Sequence, residues 1–134
     1  MISIGIVGSR TFPNETKVRQ FVRSLPLDWE VCSGGALGVD SWAENEARIR
    51  RMAVNIHYPN WKELGKAAGM IRNTLIVQDS DVIVAFYHNT KGTKNTMQQA
   101  VAARKPLFVI TAEDDLPTVE EIRSKLPVSS IDRF

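Results

Sequence analysis

The chain has 134 residues, 43% of them hydrophobic, enough for one domain with its own core and too few for two. Seventeen Lys and Arg against fifteen Asp and Glu leave a formal charge of +2, too balanced to announce nucleic-acid or membrane binding by bulk charge. The single cysteine, Cys32, has no internal disulfide partner, no apolar run reaches the roughly eighteen residues of a membrane span, and MISIGIVGSR is unlike a signal peptide. A soluble cytoplasmic protein without a membrane partner is expected.

In chain order, Ile2 to Val7 is a nearly continuous apolar run ending in Gly8-Ser9-Arg10, as a strand buried on both faces requires. Asn14 is placed to cap a helix on which Val18, Phe21, Val22 and Leu25 recur at helical spacing, with Pro26 after it. Glu30 to Ser33 reads as a second strand, and the stretch EVCSGGALGVD carries it through two glycines into a second helix. There Val39, Trp42, Ala43 and Ala47 form the apolar face, while Glu44, Glu46, Arg48, Arg50 and Arg51 form a charged face expected in solvent. Val54 to Tyr58 is a third strand, closed by Pro59.

Leu64, Ala68, Ile71 and Leu75 mark the face of a third helix through which Arg72 and Asn73 pass. Asp81 to Tyr87, DVIVAFY, is the most strand-like segment and should be central. The polar turn HNTKGTKN follows; Met97, Ala100, Val101 and the stem of Arg104 then give a fourth helical face, and Pro106 to Thr111 a fifth strand. A helical stretch from about Thr118 to Leu126 ends the pattern.

Strands alternating with helices imply right-handed crossovers, so the expected fold is α/β: a Rossmann-like, doubly wound parallel sheet of about five strands with helices on both faces. Residues 1–134 read as one domain, with a core over 2–111 and a helical tail over 112–134. In such sheets ligands bind beyond the carboxyl ends of the strands, where strand order reverses. Three turns qualify: Gly8-Ser9-Arg10, Ser33-Gly34-Gly35 and Lys91-Gly92-Thr93. A glycine turn opening a helix aims backbone N–H groups at one spot and favours phosphate there. Asp79 and Asp81 precede the fourth strand and belong at the opposite edge, which discounts them as a catalytic pair.

Several of these segments together carry a resemblance. GSRTF, CSGGALGVDSWAENEA, the W-x3-G-x3-G-x2-RN pattern of Trp61, Gly65, Gly69, Arg72 and Asn73, and DVIVAF followed by KGTKNTMQQAVAARKP resemble the SLOG superfamily. The similarity is to its small stand-alone YspA/YpsA-related domains and, more distantly, to the LOG phosphoribohydrolases and the DNA-processing protein DprA. It covers roughly residues 2 to 111 and leaves out the tail. The resemblance implies a nucleotide or nucleotide-derived ligand at the glycine loops, and self-association. Carried over by position, Gly8, Ser9 and Arg10 line one wall; Ser33, Gly34, Gly35 and Asp40 a second; Arg72 and Asn73 a third; and Gly92 and Thr93 form the phosphate-binding turn.

The chemistry of the residues fits those roles. Arg10 and Arg72 each offer a planar fork of donors to phosphate oxygens, and Thr93 and Ser33 add hydroxyls. Asp40 suits either ribose hydroxyls or the end of its own helix, and Asn73 either touches ligand or orients a loop. The resemblance also shows a departure. LOG-type hydrolases carry a glutamate three residues beyond the Gly-Thr pair of a PGGxGTxxE turn; here that residue is Thr96, and Asn89, Thr90 and Lys91 replace the preceding proline and glycines. Hydrolysis of an N-glycosidic bond would then fall to Asp40 and Glu44, at i and i+4 on one helix, although Glu44 is expected to be a solvated rim residue.

Three functions are therefore in view, in this order. The first is a binding module that senses or sequesters a nucleotide, without turnover or cofactor. The second is a nucleotide N-glycosidase; the third is DprA-like binding of single-stranded nucleic acid through Arg10, Arg72, Lys91 and Lys94. Balanced charge and no expected exposed aromatics near the turns weigh against the third. Trp42 and Cys32 read as core, His57 as structural and His88 as close enough to touch ligand. Trp61 suits the core and the pocket floor equally. Neither histidine has metal-ligand spacing, so no metal site is expected.

Overall fold

The computed structural model describes residues 1–127, so the last seven positions of the expected 112–134 tail, 128–134, lie outside the described residues. Five strands form one all-parallel sheet: β1 (Ser3–Gly8), β2 (Glu30–Ser33), β3 (Ala53–Ile56), β4 (Val82–Phe86) and β5 (Leu107–Ile110). Their order is β3-β2-β1-β4-β5. Each expected strand is present: β2 has the expected bounds, and the ends of the others differ by a residue or two. The order reverses between β1 and β4, whose pairing runs from Ile4 opposite Val82 to Gly8 opposite Phe86. At that switch the two following loops diverge and open a crevice.

Side-chain alternation along the central strands feeds two cores. Ile4 and Ile6 of β1 with Val82, Val84 and Phe86 of β4 face α1 (Glu15–Arg23), α2 (Val39–Ile49) and α6 (Val119–Lys125). Val7, Ile83 and Ala85 face the other way, against α4 (Ala68–Asp79) and α5 (Lys91–Ala102). Both faces of β4 are fully buried, which is why DVIVAFY reads as one apolar run with no polar beat. The Asn14 side chain accepts from the Lys17 amide at 3.0 Å and starts α1. Ile122 of α6 is fully buried in the first core, so the segment beyond the expected 2–111 core packs into the same hydrophobic layer.

Three residues of the expected charged face of α2 are corrected. On α2, Glu46 is 3% exposed: it accepts from Arg19 and Arg23 of α1 at 3.1–3.2 Å, so its charge lies between two helices. Glu44 is equally buried and accepts from the Gly35 amide at 2.9 Å; it is not a solvated rim residue. Arg50 donates to the carbonyls of Val22 and Leu25 at the end of α1.

The third helix is in fact three pieces, α3 (Trp61–Leu64), a 3₁₀ turn (Gly65–Ala67) and α4. That break shifts the helical phase. Leu64, Ile71 and Leu75 are left exposed, and Ala68, Asn73, Ile76 and Val77 are buried instead. On α5, Ala100 is buried and Met97 packs against the second core as expected, whereas Val101 is exposed. Asp81 accepts from the Ser3 amide at 2.9 Å, at the amino edge of the sheet as expected. Among the described residues no helix is long and apolar enough to cross a membrane.

Candidate functional site

The turns after β1, β2 and β4 all emerge at the carboxyl edge of the sheet. Gly8 ends β1 under α2, where a Cβ would stand 2.6 Å from the Val39 side chain. Ser9 is buried: its Oγ accepts from the His88 amide at 2.9 Å and shares a hydrogen bond with Thr90 Oγ1 at 2.7 Å. Ser9 therefore ties the loop after β4 to the end of β1. His88 itself bonds Thr11 through Nδ1 at 3.0 Å.

A cavity of about 820 Å³ opens at the switch point between these turns. Of the expected residues, Gly8, Arg10, Asp40, Arg72, Asn73, Gly92 and Thr93 line it. Ser9, Ser33, Gly34, Gly35, Glu44 and His88 are not among its lining residues. Ser33 is fully buried, and its Oγ, although close enough to favour the charged form of Glu44, makes no hydrogen bond of ordinary geometry. His57 bonds Asp79 at 2.7 Å and has a structural role, and Cys32 and Trp42 pack in the cores as expected.

The walls are cross-braced by Arg72 and Asn73. Arg72 Nη1 donates to the Gly34 carbonyl and its Nε donates to Asn73 Oδ1 at 2.9 Å. Asn73 Nδ2 in turn donates to the Gly92 carbonyl at 3.3 Å and to Asn95 Oδ1 at 3.1 Å. One residue pair on α4 thus joins the turn after β2 to the start of α5. Asn73 is 6% exposed, and its amide satisfies three polar groups where an apolar side chain would leave them bare.

Electrostatically the cavity is one-sided. Arg10, Lys66, Arg72, Lys91 and Lys94 line it, and Asp40 is its single carboxylate among the described residues. Burial pushes the Asp40 carboxyl up to about 7, against the Ala36 amide, which donates to it at 3.3 Å, and the nearby Arg72 charge. Burial likewise raises Glu44, countered by Ser33 and the Gly35 amide. Arg72 is pulled down by burial, against the attraction of the Asp40 charge, with a smaller push in the same direction from Arg10. Two guanidinium groups thus line one cavity beside a carboxyl that burial biases toward its neutral form.

The sequence reading missed Lys66, Met70, Ile76, Asn95 and Gln98 as lining residues. A signal for part of this set was present: Lys91, Lys94, Asn95 and Gln98 recur at i, i+3, i+4 and i+7, a polar stripe on α5. The expectation of no exposed aromatics near the turns is overturned. Trp61, left between core and pocket, lines the cavity at 57% exposure, and Tyr58 stands against Gly35 at 67%.

No protein-family model matches the chain. The gene 61 protein of Mycobacterium phage D29 is 32% identical over 114 residues, a match covering 77% of this chain and 91% of that protein. Among solved structures, DprA from Streptococcus pneumoniae superposes with a TM-score of 0.78 at 15% identity over 95% of this chain. The chain spans only 62% of DprA. The molybdenum cofactor carrier protein of Chlamydomonas reinhardtii superposes with a TM-score of 0.68 at 20% identity, covering 98% of this chain and 86% of that one. The molybdenum cofactor binding protein of Rippkaea orientalis does so at 0.68 and 23%, covering 85% and 77%. At these identities the likeness is one of fold. The chain has the Rossmann-like fold of these structures and belongs to the family of the phage D29 gene 61 protein.

Proposed function

We propose that the cavity at the switch point captures a nucleotide or nucleotide-derived ligand without turnover, in a cytoplasmic, single-domain, self-associating module that senses or sequesters it. The observation carrying this reading is the basic lining, in which Arg10, Lys66, Arg72, Lys91 and Lys94 surround the cavity and Asp40 is the one lining carboxylate among the described residues. Phosphate oxygens would accept from the guanidinium groups of Arg10 and Arg72. Gly92 and Thr93 open α5, a twelve-residue helix whose positive end faces the cavity. Gly8 lets the wall close in behind it.

The test is a thermal-shift panel of AMP, ADP-ribose and related nucleotides. A rise in Tm is expected, and Arg10→Ala removes it. Arg10 is the cleaner substitution because Arg72 also braces Gly34. A panel with no shift overturns the reading.

A second reading, nucleotide N-glycosidase, is favoured by the Asp40 carboxyl itself. Raised to about 7 and lining the cavity, it can hand a proton to a departing base. Glu44 has no such access, being bound to the Gly35 amide. Free base on chromatography after incubation with nucleoside monophosphates, lost in Asp40→Asn, is the expected result of that reading. Its absence leaves binding alone.

The exposed Trp61 and Tyr58 favour a third, single-strand nucleic-acid binding, and two fold neighbours named for molybdenum cofactor binding add a cofactor to the panel. Unchanged oligonucleotide mobility at low salt rules out the nucleic-acid reading.

A further inference from the structure

We infer that Trp61 is the stacking platform for an aromatic base, which makes the ligand of this cavity a nucleotide and not a bare sugar phosphate or inorganic anion. The inference rests on the nucleotide reading above and specifies which part of the ligand meets which wall.

The chain goes to some trouble to place this indole. Asn60 Oδ1 accepts from the Glu63 amide at 3.2 Å and starts α3 with Trp61 as its first residue. Gly65 then takes φ of +56°, a left-handed turn that ends α3 and folds it back along α4. At Gly69 a Cβ would come 3.4 Å from Trp61 Cη2, so the six-membered end of the ring lies beside a residue with no side chain. The W-x3-G-x3-G spacing is accounted for by this one arrangement.

What the indole does not do is pack. Trp29 is 1% exposed in the core and Trp42 is half-buried against it, whereas Trp61 is 57% exposed on a cavity wall next to Met70. An aromatic of this size normally buries its face, and a base is a flat partner of matching shape. Arg72 follows Gly69 on the same helix by three residues, a rise of about 4.5 Å, so one short stretch carries both the aromatic wall and a phosphate fork. A ligand of phosphate alone would use the second and leave the first uncovered.

The experiment compares AMP, UMP and ribose 5-phosphate by titration calorimetry on the wild-type chain, Trp61→Leu and Trp61→Phe. The nucleotides are expected to bind more tightly than ribose 5-phosphate. Trp61→Leu should weaken them about tenfold and leave ribose 5-phosphate unchanged, and Trp61→Phe should retain most of the affinity. Nucleotide should quench the intrinsic fluorescence of the wild type and lose that signal in Trp61→Phe, since Trp29 and Trp42 are outside the cavity lining.

Nucleotides binding no better than ribose 5-phosphate, or Trp61→Leu weakening both ligands equally, overturns the stacking role while the phosphate site stands. Binding of none of the three overturns the nucleotide reading with it. If Trp61→Leu turns a dimer into a monomer by sedimentation and leaves nucleotide affinity intact, the indole serves a second copy of the chain and the proposal fails.

Discussion

The turn from β2 into α2 and the turn from β4 into α5 have the same position in the fold and opposite states of occupancy. After β2, the Gly35 amide donates to Glu44 and the Ala36 amide to Asp40, both carboxylates of the helix that follows. The anion site that a glycine turn creates is filled there by the protein's own side chains. After β4, a Cβ on Gly92 would meet no atom within 4 Å, Thr90 makes no side-chain cap, and Lys91 and Lys94 flank the opening. Glycine content therefore does not separate a phosphate cradle from a brace. What the amides already bind does separate them, and the following predictions break or sharpen that contrast.

The largest expected effect is in the pH dependence of stability. Burial holds the Asp40 carboxyl at about 7 in the folded chain, above its ordinary unfolded value. The folded state therefore holds a proton that the unfolded state has released, and stability falls as pH rises from about 4 to about 7. Three units correspond to on the order of 4 kcal/mol. Asp40→Asn keeps an acceptor for the Ala36 amide and should flatten much of that fall, as read by urea unfolding at pH 5 and pH 8. Glu44 is raised too and contributes in the same direction, while Glu46, lowered by Arg23 and Arg19, opposes it. An unaltered slope in Asp40→Asn would show that the turn after β2 is not closed by that carboxylate.

Next in size is a pair of glycine substitutions with opposite signs. A Cβ at Gly34 would stand 2.6 Å from Arg72 Nη1 and 2.9 Å from Asp40 Oδ2, so Gly34→Ala displaces the brace and should cost about 2 kcal/mol. Gly92 lies in α5 with open space around it, so Gly92→Ala should stabilise the chain by up to about 1 kcal/mol through helix propensity. If a ligand's phosphate rests on that backbone, the same change should weaken binding. Chemical denaturation beside a nucleotide titration distinguishes the two turns; equal stability losses would make both of them braces.

The architecture was legible in the sequence because buried parallel strands and their alternating helices write themselves as local patterns. Ile2 to Val7 and Asp81 to Tyr87 are apolar on both faces, and no distant residue is needed to see it. Partnership across helices leaves no such trace. Glu46 reads as solvated until Arg19 and Arg23 on α1 are known to reach it, and the choice for Asn73 between touching ligand and orienting a loop is open until Gly92 and Asn95 are placed beside it. The face of the third helix failed for a different reason. Gly65 breaks the helix, so Leu64 and Ile71 belong to separate elements and one continuous period cannot hold across them. Within the site, the residue types pointing to phosphate were visible, whereas the occupation of the amides after β2 by Asp40 and Glu44 was not.

The smallest effect on the fold, and the most specific one for the contrast, is expected from Lys91 and Lys94. Both are exposed, and neither makes an ion pair among the described residues. Replacing either by Ala should leave stability within about 0.5 kcal/mol, the usual range for surface sites. Each contributes a point charge at the open turn without the fixed fork of an arginine, so nucleotide affinity should fall several-fold, by less than in Arg10→Ala. Because exposed charges are screened over roughly 10 Å at 0.1 M salt, the loss should shrink as salt is raised. Arg48, a cation on α2 outside the cavity lining, is the control: Arg48→Ala should leave nucleotide affinity unchanged at every salt concentration. Equal losses in Lys91→Ala and Arg48→Ala would mean that the ligand responds to overall charge, and the turn after β4 would lose its claim to be the phosphate side of the cavity.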